Sequence, residues 1–162
     1  MHANNIVLTG ESRGLVNEPI GQYNYTKTLY ISSQICPERK KYIHLYPCDD
    51  LINNIAITTG VSPSYSENGD HLFSVTVLKD KISEDDLIEG VMKRLKGYYG
   101  GGKGDYKFLK CITIKNGTLR QLPGYFENQT SQSGDIIISG ENQTNGSIEG
   151  AIISGIEAAN SL

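Results

Sequence analysis

Short runs of β-branched and aromatic residues recur through the first three quarters of the chain, each closed by Gly, Pro, Asn or Asp. Residues 5–9, 28–32, 42–46, 52–58, 72–78 and 109–114 read as strands on this pattern. The segments between several of them, such as residues 63–70, are polar and short, which favours antiparallel neighbours over long crossovers. One stretch changes period. Leu87, Ile88, Val91, Met92 and Leu95 recur at helical spacing. Ser83 followed three residues later by Asp86 resembles a capping box with Asp in place of Glu, and Lys93, Arg94 and Lys96 crowd the end where the helix dipole favours cations. Gly97 or Gly100 is the expected terminator. The fold class predicted is α+β: a mixed, largely antiparallel sheet with a covering helix, followed by a C-terminal strand–helix unit.

That unit carries the most chemistry. Residues 135–139 form an apolar strand between Gly134 and Gly140, with Glu141 next, a polar loop, and then Gly146-Ser147. A helix pattern runs from Ile148 through Ala151, Ile152, Gly155, Ile156 and Ala159, with a stripe of small residues at Gly150, Ala151, Ser154, Gly155, Ala158 and Ala159. Glycine inside a helix costs about 1 kcal/mol relative to alanine, so two of them call for a close neighbour, either another backbone or a flat ligand. The helix start at Gly146-Ser147 offers unpaired N–H groups and partial positive charge.

Composition narrows the function. Fifteen Lys+Arg against 18 Asp+Glu give a formal charge of −3, so no basic surplus advertises a nucleic-acid partner. No apolar stretch approaches the roughly 20 residues of a membrane span, and no signal segment is visible at the start, so a cytoplasmic location is expected. Three cysteines without a C-x-x-C pair, and three histidines without ligand spacing, offer no metal site. Gly97 to Lys103 spells G-x-x-x-x-G-K, but Gly104 follows where a P-loop needs Ser or Thr, and a helix precedes it where a strand should. A flexible turn is expected there. Five Asn-x-Ser/Thr triplets, at Asn24, Asn116, Asn128, Asn142 and Asn145, read as chance in an Asn-rich chain.

The run Ile138-Ser139-Gly140-Glu141, then Asn145 to Ala151, then Ser154-Gly155 and Ala158-Ala159 resembles the C-terminal flavin-binding segment of the flavin amine oxidase and phytoene desaturase superfamily. In that family a strand ends in Ala-Gly-Glu or Ala-Gly-Asp, and the helix opens with Gly-x-x-x-Gly-Ala. The resemblance implies that Glu141, following Gly140, hydrogen-bonds the ribityl chain of FAD. It also implies that the backbone around Gly146, Ser147 and Ile148 faces the N1/O2 edge of the flavin. Ser139 stands where the family usually has Ala. A weaker similarity upstream, through residues 53–59, Pro63 to Tyr65, the Ser83 helix and Leu122-Pro123, implies a substrate-domain sheet, with Tyr125-Phe126 as candidate cavity residues. On this reading residues 1–126 are substrate-domain-like and 127–162 are the flavin-binding segment.

The family's strand–G-x-G-x-x-G–helix cradle for the pyrophosphate finds no counterpart in this sequence. The implied protein is therefore the substrate-side and flavin-ring-side portion of an FAD-dependent oxidoreductase. It would act on a small molecule and need a second polypeptide, or a missing region, to supply the dinucleotide-binding part. No catalytic acid, base or nucleophile stands out. The alternative is a non-catalytic α+β interaction module or enzyme remnant.

Overall fold

The computed structural model describes residues 3–10, 15, 22–35, 37, 41–125 and 132–162. His2, Cys36, Phe126 and Asn128, each considered above, lie outside the described residues. Eight strands are described: β1 (Ile6–Thr9), β2 (Tyr23–Ser33), β3 (Ile43–Leu45), β4 (Ile52–Ile57), β5 (His71–Val77), β6 (Tyr106–Leu119), β7 (Gln132–Ser133) and β8 (Ile136–Ser139). The helices are a single turn, α1 (Thr58–Val61), then α2 (Glu84–Tyr99) and α3 (Ile148–Asn160). The expected α+β class holds. β2 and β6 run well beyond the apolar stretches that announced them, because pairing with a neighbour strand extends a ladder through residues that lack strand patterning.

The chain divides into two compact units, one comprising Tyr25–Lys115 and the other the segments before and after it. In the first unit the strand order is β3-β4-β5-β2-β6. The β3/β4, β4/β5 and β5/β2 pairs are antiparallel. Register places Leu29 and Ile55 on either side of Val75, and Ile31 and Ile57 on either side of Phe73. These six side chains share one face of the pleat and are fully or almost fully buried, together with Leu87, Val91 and Leu95 of α2. The two periods, 2 in the strands and 3.6 in the helix, converge on a single core.

Ser83 caps α2, its hydroxyl accepting from the Asp86 amide at 3.1 Å, while the same hydroxyl donates to the Asp86 carboxylate at 2.6 Å. Gly100, at φ +80°, ends the helix. Of the glycine cluster that follows, Gly101 and Gly104 also adopt positive φ, and the Gly102 amide donates to Asp105 at 2.5 Å. The turn is closed by the chain's own carboxylate and leads into β6, so a turn stands where the sequence placed one.

The second unit holds a three-stranded sheet of order β1-β8-β7. β1 and β8 are parallel, with Thr9 opposite Ser139, and β7 is antiparallel to β8. The small-residue stripe of α3 splits between two faces. Gly150, Ser154 and Ala158 are buried, whereas Ala151, Gly155 and Ala159 are exposed. Among the described residues no helix is long and apolar enough to cross a membrane.

Candidate functional site

The carboxyl ends of β1 and β8 lie side by side, and parallel strands commonly present ligand-binding loops at that edge. Gly140 follows β8 at φ +144°, a conformation reserved for glycine, and a Cβ there would meet Asn142 Oδ1 at 2.8 Å and Gly10 N at 3.7 Å. Its amide donates to Ser154 Oγ at 3.0 Å, and Ser154 Oγ donates in turn to Ser139 Oγ at 3.3 Å. A hydroxyl of α3 thereby seats the helix on the end of the strand. This accounts for one small residue of the stripe by a protein contact.

Glu141 opens a short 3-10 turn, Glu141–Gln143. Its carboxylate is half-buried and meets no hydrogen-bond or ionic partner among the described residues. Asn142, which follows, is 5% exposed, and its Nδ2 has no hydrogen-bond partner among the described residues. An unmatched buried donor costs about 1–3 kcal/mol. Its burial also removes Asn142 from consideration as a surface acceptor for a glycan.

Ser147 caps α3 by accepting from the Gly150 amide at 3.0 Å. The Gly146 amide donates to Gln121 Oε1 at 2.9 Å and the Ser147 amide to Asn145 O at 2.8 Å. The amides of Ile148 and Glu149, in the first turn, have no partner among the described residues. Five predicted residues, Gly140, Glu141, Gly146, Ser147 and Ile148, therefore sit on one continuous turn from the end of β8 to the start of α3. Three of their backbone amides, those of Gly140, Gly146 and Ser147, are already committed to the protein. Ile148, itself 84% exposed, presents an open one, and Glu149 another.

Gln121 is the residue that sequence reading missed. Its Nε2 donates to Thr144 O at 2.8 Å and Glu141 O at 3.2 Å, while its Oε1 takes the Gly146 amide. One side-chain amide thus closes the whole 141–146 turn. No periodicity marks it, since it lies in the irregular Leu-Pro-Gly segment after β6. Gln121→Ala is expected to leave Thr144 O and the Gly146 amide unpaired, and Glu141 O with only the Thr144 amide at 3.4 Å. Amide exchange should rise across residues 141–147 and stability should drop by about 1–2 kcal/mol, read by hydrogen exchange and thermal unfolding.

Residues 132–162 contain Asp135, Glu141, Glu149 and Glu157 and no Lys or Arg. The open helix end supplies the positive potential in this segment. Beneath α3 a cleft lined in part by Ile137, Ile138, Ser154 and Ala158 measures about 140 Å³, below the roughly 300–1,000 Å³ of ordinary ligand pockets. Tyr125 is half-buried within the same unit. Among the described residues no group of three or more His, Cys, Asp or Glu converges as a metal site.

Comparison with solved structures gives the fold. The chain is similar to a protein from Pyrococcus furiosus (10% identity, TM-score 0.61) and to an oxidoreductase from Methanosarcina mazei (14% identity, TM-score 0.59). In each case 93% of this chain is covered, against 34% and 36% of the respective neighbour. The chain thus spans about a third of the length of these structures. No family model matches it, and no curated protein matches it.

Proposed function

We propose that this chain forms the substrate-side and flavin-ring-side portion of an FAD-dependent oxidoreductase. The observation that carries the reading is the turn at the carboxyl edge of the parallel β1–β8 pair. There an unpaired carboxylate, Glu141, and an open helix amide, Ile148, occupy one short loop. The fold shared with an oxidoreductase from Methanosarcina mazei agrees with it. The residues fit the ring and ribityl end of the cofactor: Glu141 would accept from ribityl hydroxyls, and the Ile148 amide would face the ring edge that gains charge. The Ser147 and Gly146 amides hold the loop instead, in bonds to Asn145 and Gln121. When bound, the flavin would supply the acceptor for a hydride leaving a small-molecule substrate.

The phosphates do not fit this segment, where four acids meet no base. A second polypeptide or further region carrying the dinucleotide-binding turn is the partner this reading calls for. Riboflavin, which lacks phosphate, should therefore bind the chain no more weakly than FAD does. A titration followed by amide chemical shifts should move Ile148 and Glu149 with either ligand, and Glu141→Ala should weaken both about tenfold, a loss of about 1.4 kcal/mol. The reading fails if those amides stay still at high ligand concentration, or if Glu141→Ala changes nothing.

The second reading, a non-catalytic interaction module, is favoured by one feature. Ile148, Ile152 and Ile156 stand four residues apart along α3 and are all exposed, an apolar ridge suited to another protein surface. Flavin-independent binding through that ridge would support it over the first.

A further inference from the structure

Three Asn-Gly pairs occur in the chain, Asn68-Gly69, Asn116-Gly117 and Asn145-Gly146. In such a pair nothing shields the glycine nitrogen, which can attack the asparagine side-chain carbonyl. The fold treats the three pairs differently. The Gly146 nitrogen is held in a hydrogen bond to Gln121 at 2.9 Å. Asn116-Gly117 lies inside β6, in extended backbone. Asn68-Gly69 lies in the loop before β5, with Asn68 exposed, Gly69 at φ +81° and no atom within 4 Å of the position a Gly69 Cβ would take.

The groups around Asn68 match what the attack needs. Its Oδ1 accepts from Ser66 Oγ at 2.9 Å and from the Asp70 amide at 3.2 Å, so two donors already sit on the oxygen that becomes negative as a tetrahedral centre forms. Its Nδ2, the leaving nitrogen, donates to Asp70 Oδ2 at 3.0 Å. That carboxylate holds the departing amide in a fixed orientation.

We propose that Asn68 is a self-modifying site that converts to aspartate and isoaspartate through a cyclic imide with Gly69. The Gly69 N–Asn68 Cγ bond forms as the Cγ–Nδ2 bond breaks, and the nitrogen leaves as ammonia with the proton lost by Gly69. Water then adds across either ring C–N bond, so that one opening gives aspartate and the other isoaspartate. The product carboxylate replaces a donor to Asp70 with a second negative charge. Asp70 also holds Ser32 Oγ at 2.6 Å, in a cleft shared with His71 and Lys107. Hydrogen bonds from Ser32 and Asn68 hold the Asp70 carboxyl below its usual value, and the conversion removes the second of these. The cleft becomes more acidic as the protein ages.

The test is incubation of the folded chain in mildly alkaline buffer, sampled over days by peptide mass spectrometry. The peptide containing Asn68 should gain one dalton well ahead of those containing Asn116 and Asn145, and in urea the three rates should converge. Ser66→Ala should slow the reaction at Asn68 several-fold in the folded chain without changing the rate in urea. Asn116 or Asn145 leading, three equal rates in the folded chain, or a Ser66→Ala variant as fast as the parent would each overturn the proposal.

Discussion

Gly150→Ala is expected to destabilise the protein by about 3 kcal/mol or more, while Gly155→Ala, in the same helix, stabilises it by about 0.5–1 kcal/mol. The difference lies in what each new methyl would meet. At Gly150 a Cβ would fall 2.1 Å from Asn145 O, 2.4 Å from Asn145 Oδ1 and 2.4 Å from Thr144 Oγ1. No van der Waals contact is that short, so either the loop or the first turn of α3 must move. The loop is not free to do so, because Gln121 grips Thr144 O and the Gly146 amide. At Gly155 a Cβ meets nothing within 4 Å, and the ordinary helix preference for alanine applies unopposed. Chemical denaturation of the two variants decides the matter. A neutral Gly150→Ala would mean that the loop at Thr144–Asn145 does not press on the helix, and the geometry of the proposed site would go with it.

Asp49→Ala should cost about 3 kcal/mol or more, by leaving buried donors unpaired in the first unit. The Asp49 side chain is only 8% exposed. Its carboxylate accepts from the Leu51 amide at 2.7 Å, the Ile52 amide at 2.8 Å and Arg94 Nε at 2.9 Å and 3.0 Å, and from the Tyr98 hydroxyl. It joins the loop before β4 to the last turns of α2, where Tyr46 and Tyr98 stack with ring centres 4.2 Å apart. Burial pushes the carboxyl up, but the bonds from Tyr98, Ile52 and Leu51 and the charge of Arg94 outweigh it and hold it below the ordinary 3.8. Tyr98, donating to that carboxylate, is pushed up to about 12.

The sign of the pH effect follows. A group whose folded value is depressed contributes stability that is fully present above its unfolded value, and that contribution is lost as pH falls through the folded one. Asp50 and Asp70 are depressed as well, by Arg94 and by Ser32 respectively, and act in the same direction. Unfolding free energy should therefore hold level above about pH 5 and decline steadily below about pH 4. Asp49→Ala should flatten part of that acid limb. A variant with the parent's full acid slope would show that Asp49 is not a principal source of it.

Patterning carried a good deal of this protein. The alternation in residues 28–32 and 72–78 and the helical spacing from Leu87 to Leu95 located the core of the first unit, because burial of one face imposes a period that survives in the residues themselves. Ser83 and Ser147 announced two helix starts correctly, since a cap is a local hydrogen bond between residues three apart. Glu141 was visible as an acid between a strand and a helix, which is where the structure places it.

The partners were not visible, because they come from far along the chain. Gln121 reaches residues 20, 23 and 25 positions away. Nothing local selects Gln there. The parallel pairing of β1 with β8 joins segments at opposite ends of the chain. The small-residue stripe of α3 shows the limit most clearly. Read as a sequence, Gly150 and Gly155 are alike and both suggest a close neighbour. In the fold one of them lies against Asn145 O and the Thr144 and Asn145 side chains, and the other faces open space. A one-dimensional pattern records that a side chain is absent, whereas what fills the space depends on contacts that exist only once distant segments have met.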